Sequence, residues 1–271
     1  MSDDVVLYEL DAGVATLTLN RPERRNAWTI EMHRRYYALL EQCDRDPDVR
    51  AIIVTGSGQT FCPGADTDSL QIYSDTGEYN PLASTITQPD WYPLEVRKPV
   101  IAAINGACAG FGLAVALMCD VRIAAAGAKM TTAFARRGLP ALHGVAWLLP
   151  RLVGASRASE LLLSGRTFLA DEAAAIGLVH QLVAADEVLP TARRYAADLV
   201  QNCSPSSWAN MKQQLLLSDH QSYKEAIEEA GARELPSLST RDFHEGVMSF
   251  VERRPPRFEP IDVGNQPWQE S

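Results

Sequence analysis

Residues 105–120 read NGACAGFGLAVALMCD, and they follow an apolar run, VIAAI, at positions 100–104. Glycines crowd the first part of this stretch, which has the form of a turn from a strand into a helix. The backbone N–H groups at a helix start have no partner within the helix, and the helix dipole adds partial positive charge there. The turn can therefore hold a ligand oxygen. Every residue from 113 to 118 is apolar, so the predicted helix start offers no acid that could act on that ligand.

The segments around this turn predict an α/β fold. AIIVTG at 51–56 and VRIAAA at 121–126 are continuous apolar runs of the kind found in parallel strands covered on both faces. VVLYEL and VATLTLN flank the turn triplet at 11–13 and predict a hairpin. The segment 29–44 has helical spacing of its apolar residues, with Thr29 as the N-cap. From about residue 145 the pattern is mostly helical, with helices predicted at 145–153, 155–165, 170–177, 187–203, 206–217 and 240–254. A strand–helix core is thus followed by a helical C-terminal third.

The composition is that of an ordinary globular protein, with 46% hydrophobic and 22% charged residues. A formal net charge of -9 argues against nucleic acid or an anionic membrane as the main partner, although a local basic cluster can still bind an anion. The five cysteines form no C-x-x-C pair, which argues against a disulfide framework or a metal site and favours a reducing compartment. No signal peptide or membrane-spanning run is apparent, so we expect a cytoplasmic location.

Two glycine-turn chemistries compete with simple oxygen binding. Gly56-x-Gly58 begins like a dinucleotide-binding motif, but Phe61 replaces the third glycine and no helix follows. GACAG at 106–110 has the shape of a nucleophile elbow with Cys108 as a thiol nucleophile, which would need an acid and a histidine downstream. Asp171 and His180 are available for those roles. Alanines flank Cys108, however, and a small buried cysteine is the commoner situation.

The third chemistry is an oxyanion hole made by two neighbouring turns. CPGAD follows the strand at 51–56, and CAGFG follows the strand at 100–104. Each turn can aim one backbone N–H at the same oxygen. A thioester carbonyl that becomes an enolate is the kind of oxygen this arrangement stabilises, and each donor contributes typically ~10²–10³ in rate.

At these residues the sequence resembles the enoyl-CoA hydratase/isomerase (crotonase) family. Six segments match in family order over nearly the whole chain: LTLNRPERRNAW, IIVTGSGQTFCPGADTDSL, KPVIAAINGACAGFGLAVALMCDVRIAAAGAKM, RRGLPALHGVAWLLPRLVG, LLLSGRTFLADEAAAIGLVHQLV and FHEGVMSFVERRPPRF. The resemblance implies a spiral of ββα units in residues 1–200. It also implies a helical region in residues 201–271 that forms trimers, often paired into hexamers, and covers the coenzyme A site. The implied ligand is an acyl-CoA or enoyl-CoA thioester, with no separate cofactor.

The resemblance also implies the residues of the site. The oxyanion donors are the backbone N–H groups of Ala65 and Phe111; Phe111 stands where the family has glycine, so its side chain must find room. Loosely carried over as coenzyme A contacts are Arg24, Asn26, Ala27, Cys62, Gly64, Asp66 and Thr67. Phe250 and Arg253 match residues that reach a neighbouring subunit's coenzyme A. The alternative is that Arg253 and Arg254 simply cap a helix C-terminus.

The sequence departs from the family at the positions of its catalytic acids. The hydratases use two carboxylates, where this chain has Ala114 and Phe134, and isomerase-like relatives often carry an acid where it has Leu142. General acid–base groups contribute typically ~10²–10⁴ in rate, so ordinary hydration should be crippled. An apolar lining also suits an acyl chain better than it suits water.

Another group must therefore move the proton if the protein is an enzyme. His143, which follows the RRGLPAL turn, is one candidate, and the acids of the excursion at 74–90 are the others: Asp75, Glu78 and Asp90. Asp66 and Asp120 are expected instead to satisfy backbone N–H groups at element boundaries. The remaining histidines are expected on helix surfaces or boundaries, without a role: His33, His180, His220 and His244.

Four functions remain open from the sequence. The first is a hydratase- or isomerase-type enzyme with a different acid or base. The second is decarboxylation of a malonyl-type thioester, in which loss of carbon dioxide makes the enolate and no base is needed. The third is a non-catalytic acyl-CoA-binding protein, and the fourth is the thiol hydrolase around Cys108. We expect the first, as an acyl-CoA protein of the hydratase/isomerase type.

Overall fold

The computed structural model describes residues 4–76 and 88–261. The chain begins with the predicted antiparallel hairpin, β1 (Val6–Asp11) and β2 (Val14–Leu19). Helix α1 (Ile30–Arg45) follows, and the side chain of Thr29 accepts a hydrogen bond from the Met32 N–H. The predicted N-cap is confirmed, because this bond satisfies one of the unpaired donors at the helix start.

Two sheets form the core, and from β3 to β8 successive strands alternate between them. The larger sheet has the order β1-β2-β3-β5-β7-β10, and the smaller has the order β4-β6-β8-β9. Their remaining strands are β3 (Ala51–Gly56), β4 (Thr60–Cys62), β5 (Val100–Ile104), β6 (Ala107–Ala109), β7 (Val121–Ala125), β8 (Lys129–Thr131), β9 (Phe168–Leu169) and β10 (Gln181–Val183). Each of three successive units gives one strand to each sheet before a helix follows. The predicted spiral of ββα units is confirmed.

The helices after α1 are α2 (Thr67–Thr76), α3 (Tyr92–Glu95), α4 (Phe111–Met118), α5 (Val145–Val153), α6 (Ala155–Ser164), α7 (Ala170–Ala175), α8 (Val188–Asn202), α9 (Pro205–Ser218), α10 (Tyr223–Leu238) and α11 (Arg241–Glu252). None of the helices in the described part of the chain is both long and apolar enough to cross a membrane. Within the same residues, no cluster of three or more histidine, cysteine or acidic side chains could hold a metal ion.

Helix α4 explains the apolar run that follows the glycine turn. All eight of its residues are buried, and it packs against β4, β6 and α5. A helix that meets protein on every side has no polar face, so the sequence shows no amphipathic period there. The five residues of β5, which lead into this turn, are buried as well.

The C-terminal helices differ from the prediction in one element. Helix α10 was not expected, although it begins with a capping box in which Ser222 and Glu225 satisfy each other's backbone N–H groups. None of its described residues is buried within this chain, so its sequence carries no stripe directed at this chain's own core. Helix α8, which packs on β3, β5 and β7, ends at Asn202, two residues beyond the expected limit of the core.

Candidate active site

The turn before α4 lies directly against the loop that follows β4. A methyl group placed on Gly64 would lie 3.5 Å from the Phe111 backbone nitrogen and 3.0 Å from the Ala109 carbonyl oxygen. Gly64 has φ +100°, a conformation that side-chain-bearing residues rarely adopt, so glycine is needed here for both backbone shape and close approach. The next residue, Ala65, is paired with Trp28 through hydrogen bonds made by its two neighbours in the loop. These contacts hold the two turns side by side.

The backbone N–H groups of Ala65 and Phe111 are free at this junction. Neither donates a hydrogen bond to any residue within 4–76 or 88–261. The Phe111 N–H is the first of α4, where the helix offers no internal acceptor. An unpaired N–H at a helix start, next to the loop that carries a second unpaired donor, is suited to a ligand oxygen.

Glycine at position 112 fixes where α4 starts. A methyl group there would lie 2.3 Å from the Cys62 carbonyl oxygen, which is far inside van der Waals contact. The helix can therefore approach β4 only because Gly112 has no side chain. The turn is also held by a hydrogen bond from the Gly110 N–H to the Thr131 carbonyl oxygen, at 3.1 Å.

The Phe111 side chain finds the room that its position requires. Its ring is buried in an aromatic cluster, 4.6 Å from the Trp28 ring, 4.3 Å from the His143 ring and 5.7 Å from the His33 ring, measured between centroids. The His143 contact is edge-to-face, an arrangement that aromatic quadrupoles favour. His143 is thus placed next to the residue that carries one of the free N–H groups.

The predicted candidates His143 and Asp90 are paired with each other. His143 Nδ1 lies 2.8 Å from Asp90 Oδ2, and the Tyr37 hydroxyl donates to the Asp90 backbone carbonyl at 3.0 Å. The hydrogen bond from His143 holds the pKa of Asp90 below its usual value, against the opposing effect of partial burial. An ionised carboxylate only accepts hydrogen bonds, so Nδ1 carries a proton. In the neutral form of the ring, the lone pair is therefore on Nε2.

The other two acids of the excursion take no part in this pair. Asp75 lies in α2 and accepts a hydrogen bond from Gln71 on the helix surface. Glu78 lies outside the described residues.

The prediction for His33 was wrong. It was expected on a helix surface without a role, but only 6% of it is exposed. Its ring stacks in parallel on that of Tyr37 with centroids 4.2 Å apart, and burial lowers its pKa to about 4. The signal was present in the sequence, because His33 lies one helical turn before Tyr37 on the apolar side of α1.

The three positions that hold acids in the resembling family differ in their surroundings. Ala114 is fully buried within α4, Phe134 is 7% exposed, and Leu142 is 36% exposed beside His143. Two of them are therefore away from water, and the third lies at the edge of the site.

The thiol-hydrolase hypothesis is wrong. Cys108 lies in the centre of the small sheet, between Cys62 of β4 and Met130 of β8, with no exposed surface. Burial raises the pKa of its thiol well above the usual value, so it is not a thiolate. The proposed partners are engaged elsewhere: Asp171 accepts from the Gly127 N–H, and His180 Nδ1 accepts from the Arg122 N–H.

The residues carried over as coenzyme A contacts fall into two groups. Arg24 and Thr67 are exposed beside the turn pair. Buried there instead are Asn26, Ala27, Cys62, Gly64 and Asp66. The Asn26 amide donates to the carbonyl oxygens of Ser57 and Thr60, so that side chain holds loops together and is not free for a ligand.

The two aspartates behave as the sequence predicted. Asp66 accepts from the Asp68 N–H and forms ion pairs with Arg21 and Arg24, at 2.9 and 3.3 Å. Burial raises its pKa, but these hydrogen bonds outweigh burial and hold it below the usual value. Asp120 accepts from the Val100 N–H, and Lys212 pairs with it. Both carboxylates have structural partners.

The two C-terminal candidates lie on the surface of this chain. Phe250 is 84% exposed on α11, and Arg253 ends that helix with a left-handed backbone. Arg254, the other residue of the capping alternative, forms ion pairs with Glu245 and Glu252. Contact of Phe250 and Arg253 with another subunit's ligand stays a prediction.

Comparisons with known proteins agree with this architecture. A sequence profile described as enoyl-CoA hydratase/isomerase matches residues 9–260. The 1,2-epoxyphenylacetyl-CoA isomerase of Escherichia coli is 34% identical over 268 residues, which cover 94% of this chain and 98% of that protein. Two crystal structures are also similar. A probable enoyl-CoA hydratase/isomerase from Mycobacterium abscessus is 35% identical (TM-score 0.86, 94% and 99% of the two chains), and an enoyl-CoA hydratase from Mycobacterium marinum is 47% identical (TM-score 0.67, 79% and 97%). The chain therefore belongs to the enoyl-CoA hydratase/isomerase, or crotonase, family.

Proposed function

We propose that this protein binds an acyl-CoA thioester and stabilises its enolate between the backbone N–H groups of Ala65 and Phe111. The observation that supports this proposal is the contact between the two turns, in which Gly64, the residue before Ala65, lies against the Phe111 backbone nitrogen. Preorganised donors of this kind act on the charge that develops on the thioester oxygen and need no reorganisation during the reaction. The family membership supports a coenzyme A thioester as the ligand.

We propose further that the reaction is an isomerase-type proton transfer. His143 Nε2 removes a proton from the carbon next to the thioester carbonyl, and the electron pair of that C–H bond moves into the enolate. The same nitrogen then returns the proton to a different carbon of the conjugated acyl chain. Asp90 stabilises the imidazolium formed between the two steps. Hydration is less well supported, because Ala114 and Phe134 offer nothing that could position water.

A pair of variants at one position tests the donor. Proline suits the first position of a helix, which Phe111 occupies in α4, and proline has no N–H. The preceding residue, Gly110, has φ +51° and ψ -119°, an extended mirror-image backbone that a glycine before proline can adopt. Phe111→Ala removes the ring and keeps the N–H; Phe111→Pro removes both. We expect Phe111→Pro to be slower than Phe111→Ala by ~10²–10³ in kcat on a 3-enoyl-CoA substrate. Equal rates in two folded variants would contradict the oxyanion role.

The substrate screen separates the other functions. Conversion of 3-enoyl-CoA to its conjugated isomer supports the proposal. Hydration of crotonyl-CoA at ordinary rates, or release of carbon dioxide from malonyl-CoA without isomerisation, would replace it. Binding of saturated and unsaturated acyl-CoA without turnover would indicate a non-catalytic protein. Leu142→Glu adds an acid beside His143, and we expect it to raise the isomerisation rate without loss of acyl-CoA binding.

We propose that copies of this chain associate as a trimer or a pair of trimers. The C-terminal helices carry large apolar side chains that are more than half exposed, including Met211, Leu215, Tyr223, Ile227, Leu235 and Phe250. Large exposed apolar patches mark protein interfaces. Light scattering should give three or six times the 29.7 kDa chain mass, and a monomer would contradict the proposal.

A cytoplasmic location is proposed on the state of the cysteines. All five are free, and four of them are buried. This is the pattern expected in a reducing compartment. Cell fractionation with detection of the full chain tests it.

A further inference from the structure

One buried polar group beside the site has no role in the chemistry proposed above. His33 Nε2 has no hydrogen-bond partner among the described residues, although it is shielded from water. Buried polar atoms are paired in the great majority of cases, so an exception requires an explanation. The atom lies 3.9 Å from Asp90 Oδ1, the carboxylate oxygen that does not contact His143.

Tyr37 contacts both His33 and Asp90 and fixes their relative positions. The His33 ring stacks on Tyr37, which lies one turn further along α1, and the Tyr37 hydroxyl donates to the backbone carbonyl of Asp90. One pair of α1 side chains thus fixes the Asp90 backbone and presents a ring nitrogen to its carboxylate. The titratable groups that face His33 from the elements packed against it are Asp90 and His143.

We propose that His33 is a positioning residue: its Nε2 holds the Asp90 carboxylate in the orientation that keeps His143 in the base tautomer. This inference rests on the proton-transfer role proposed for His143. Burial keeps the His33 imidazole neutral at pH 7, so it can present an Nε2–H to the carboxylate without carrying a charge. A shortening of about 1 Å would complete a normal hydrogen bond, and Asp90 lies in a half-exposed loop that can make this adjustment.

The test reads the tautomer of His143 directly and needs no substrate. The chain has five histidines, so ¹⁵N-resolved imidazole spectra can be assigned by single substitutions. In the wild type we expect His143 protonated at Nδ1 and unprotonated at Nε2 when neutral. In His33→Phe, which keeps a ring against Tyr37 but has no nitrogen, we expect His143 to shift toward the Nε2–H form. An unchanged His143 spectrum in folded His33→Phe would overturn the inference.

Kinetics separate positioning from a general packing effect. His33→Phe should lower kcat about 10-fold with little change in KM, since a small misplacement of a reacting group can cost up to about 100-fold in rate. His33→Gln, whose amide can donate to Asp90, should recover part of the loss. In the Asp90→Asn background, His33→Phe should have almost no further effect. A full additional loss there would show that His33 does not act through Asp90.

A neighbouring residue gives the matched control. Tyr36 is also buried in α1, and its hydroxyl also lacks a hydrogen-bond partner among the described residues. Tyr36→Phe should leave the His143 spectrum and kcat unchanged; if it reproduces the His33→Phe effect, the effect is one of packing and the inference fails. Loss of turnover on His143→Ala together with an unaltered His33→Phe enzyme would leave the proposed function standing and the His33 inference refuted. If the wild type shows no turnover but His33→Phe shifts the His143 tautomer as expected, the proposed function fails and the His33 inference stands.

Discussion

The pair of glycine turns and the neighbouring Asp90–His143 pair are built in different ways. The turns present main-chain N–H groups, and their geometry depends on glycines at which a side chain would clash or be strained. The Asp90–His143 pair consists of two side chains that are 53 positions apart in sequence. A main-chain donor survives a change of side chain, which is why Phe111 can replace glycine there. A proton-transferring group does not survive such a change, so the identity of the side chains decides which reaction occurs.

The largest expected effect on kcat tests the Asp90–His143 pair. His143→Ala should lower kcat by ~10²–10⁴, because a positioned general base contributes that much, while acyl-CoA affinity stays within a few-fold. Steady-state kinetics and calorimetric binding measure the two quantities. His220→Ala, at an exposed histidine, is the control and should behave like wild type. Full activity of His143→Ala would contradict the role of His143 as the base and would leave only the backbone N–H groups of the turns to act on the substrate.

The next effect tests the turns. Gly112→Ala places a methyl group against the Cys62 carbonyl, and neither backbone can move without disturbing the core. We expect the free energy of unfolding to fall by about 3 kcal/mol, measured by urea denaturation with an unchanged m-value. In α10, Gly231 has no heavy atom of the described chain within 4 Å of an added methyl group, so Gly231→Ala should stabilise by about 0.5–1 kcal/mol. Equal stability of the two variants would contradict the role of Gly112.

A smaller effect concerns pH and the buried histidine. The pKa of His33 is about 4 in the folded chain and about 6.5 when unfolded, so between these values only the unfolded chain binds the proton. Stability from this group is complete above pH 6.5 and is lost as the pH falls to 4. Between pH 7 and 5 the wild type should lose about 2 kcal/mol that His33→Phe does not lose. His220→Phe should follow the wild type; the same pH dependence in His33→Phe would mean that His33 is not buried in solution.

The smallest expected effect on kcat tests whether the Cys108 thiol has any part in the function of the turn. Cys108→Ala should leave kcat within about twofold of wild type, because the thiol is enclosed in the sheet and protonated. The only expected cost is about 1 kcal/mol of stability from the lost packing. A large loss of activity in a stably folded variant would restore the thiol as a functional group.

The fold could be predicted because its signals are local. Continuous apolar runs identified β3, β5 and β7, and the glycine turn after β5 located the start of α4. Helix α10 was missed because its exposed side chains give no stripe toward this chain's core. His33 was misplaced although it lies on the apolar side of α1; its contact with Phe111, from a distant turn, was the part that the sequence did not show.

By itself, the sequence determined the apolar strands and the glycine turns, and its resemblance to the crotonase family implied the ββα spiral. These features depend on glycine at positions without room for a side chain and on apolar runs that must be buried. Only the tertiary structure decided that Asp90 and His143 pair, that His33 lies behind them, and that Cys108 is enclosed. Those relations depend on how distant loops fold back over α4, and local composition carries no record of contacts between residues so far apart.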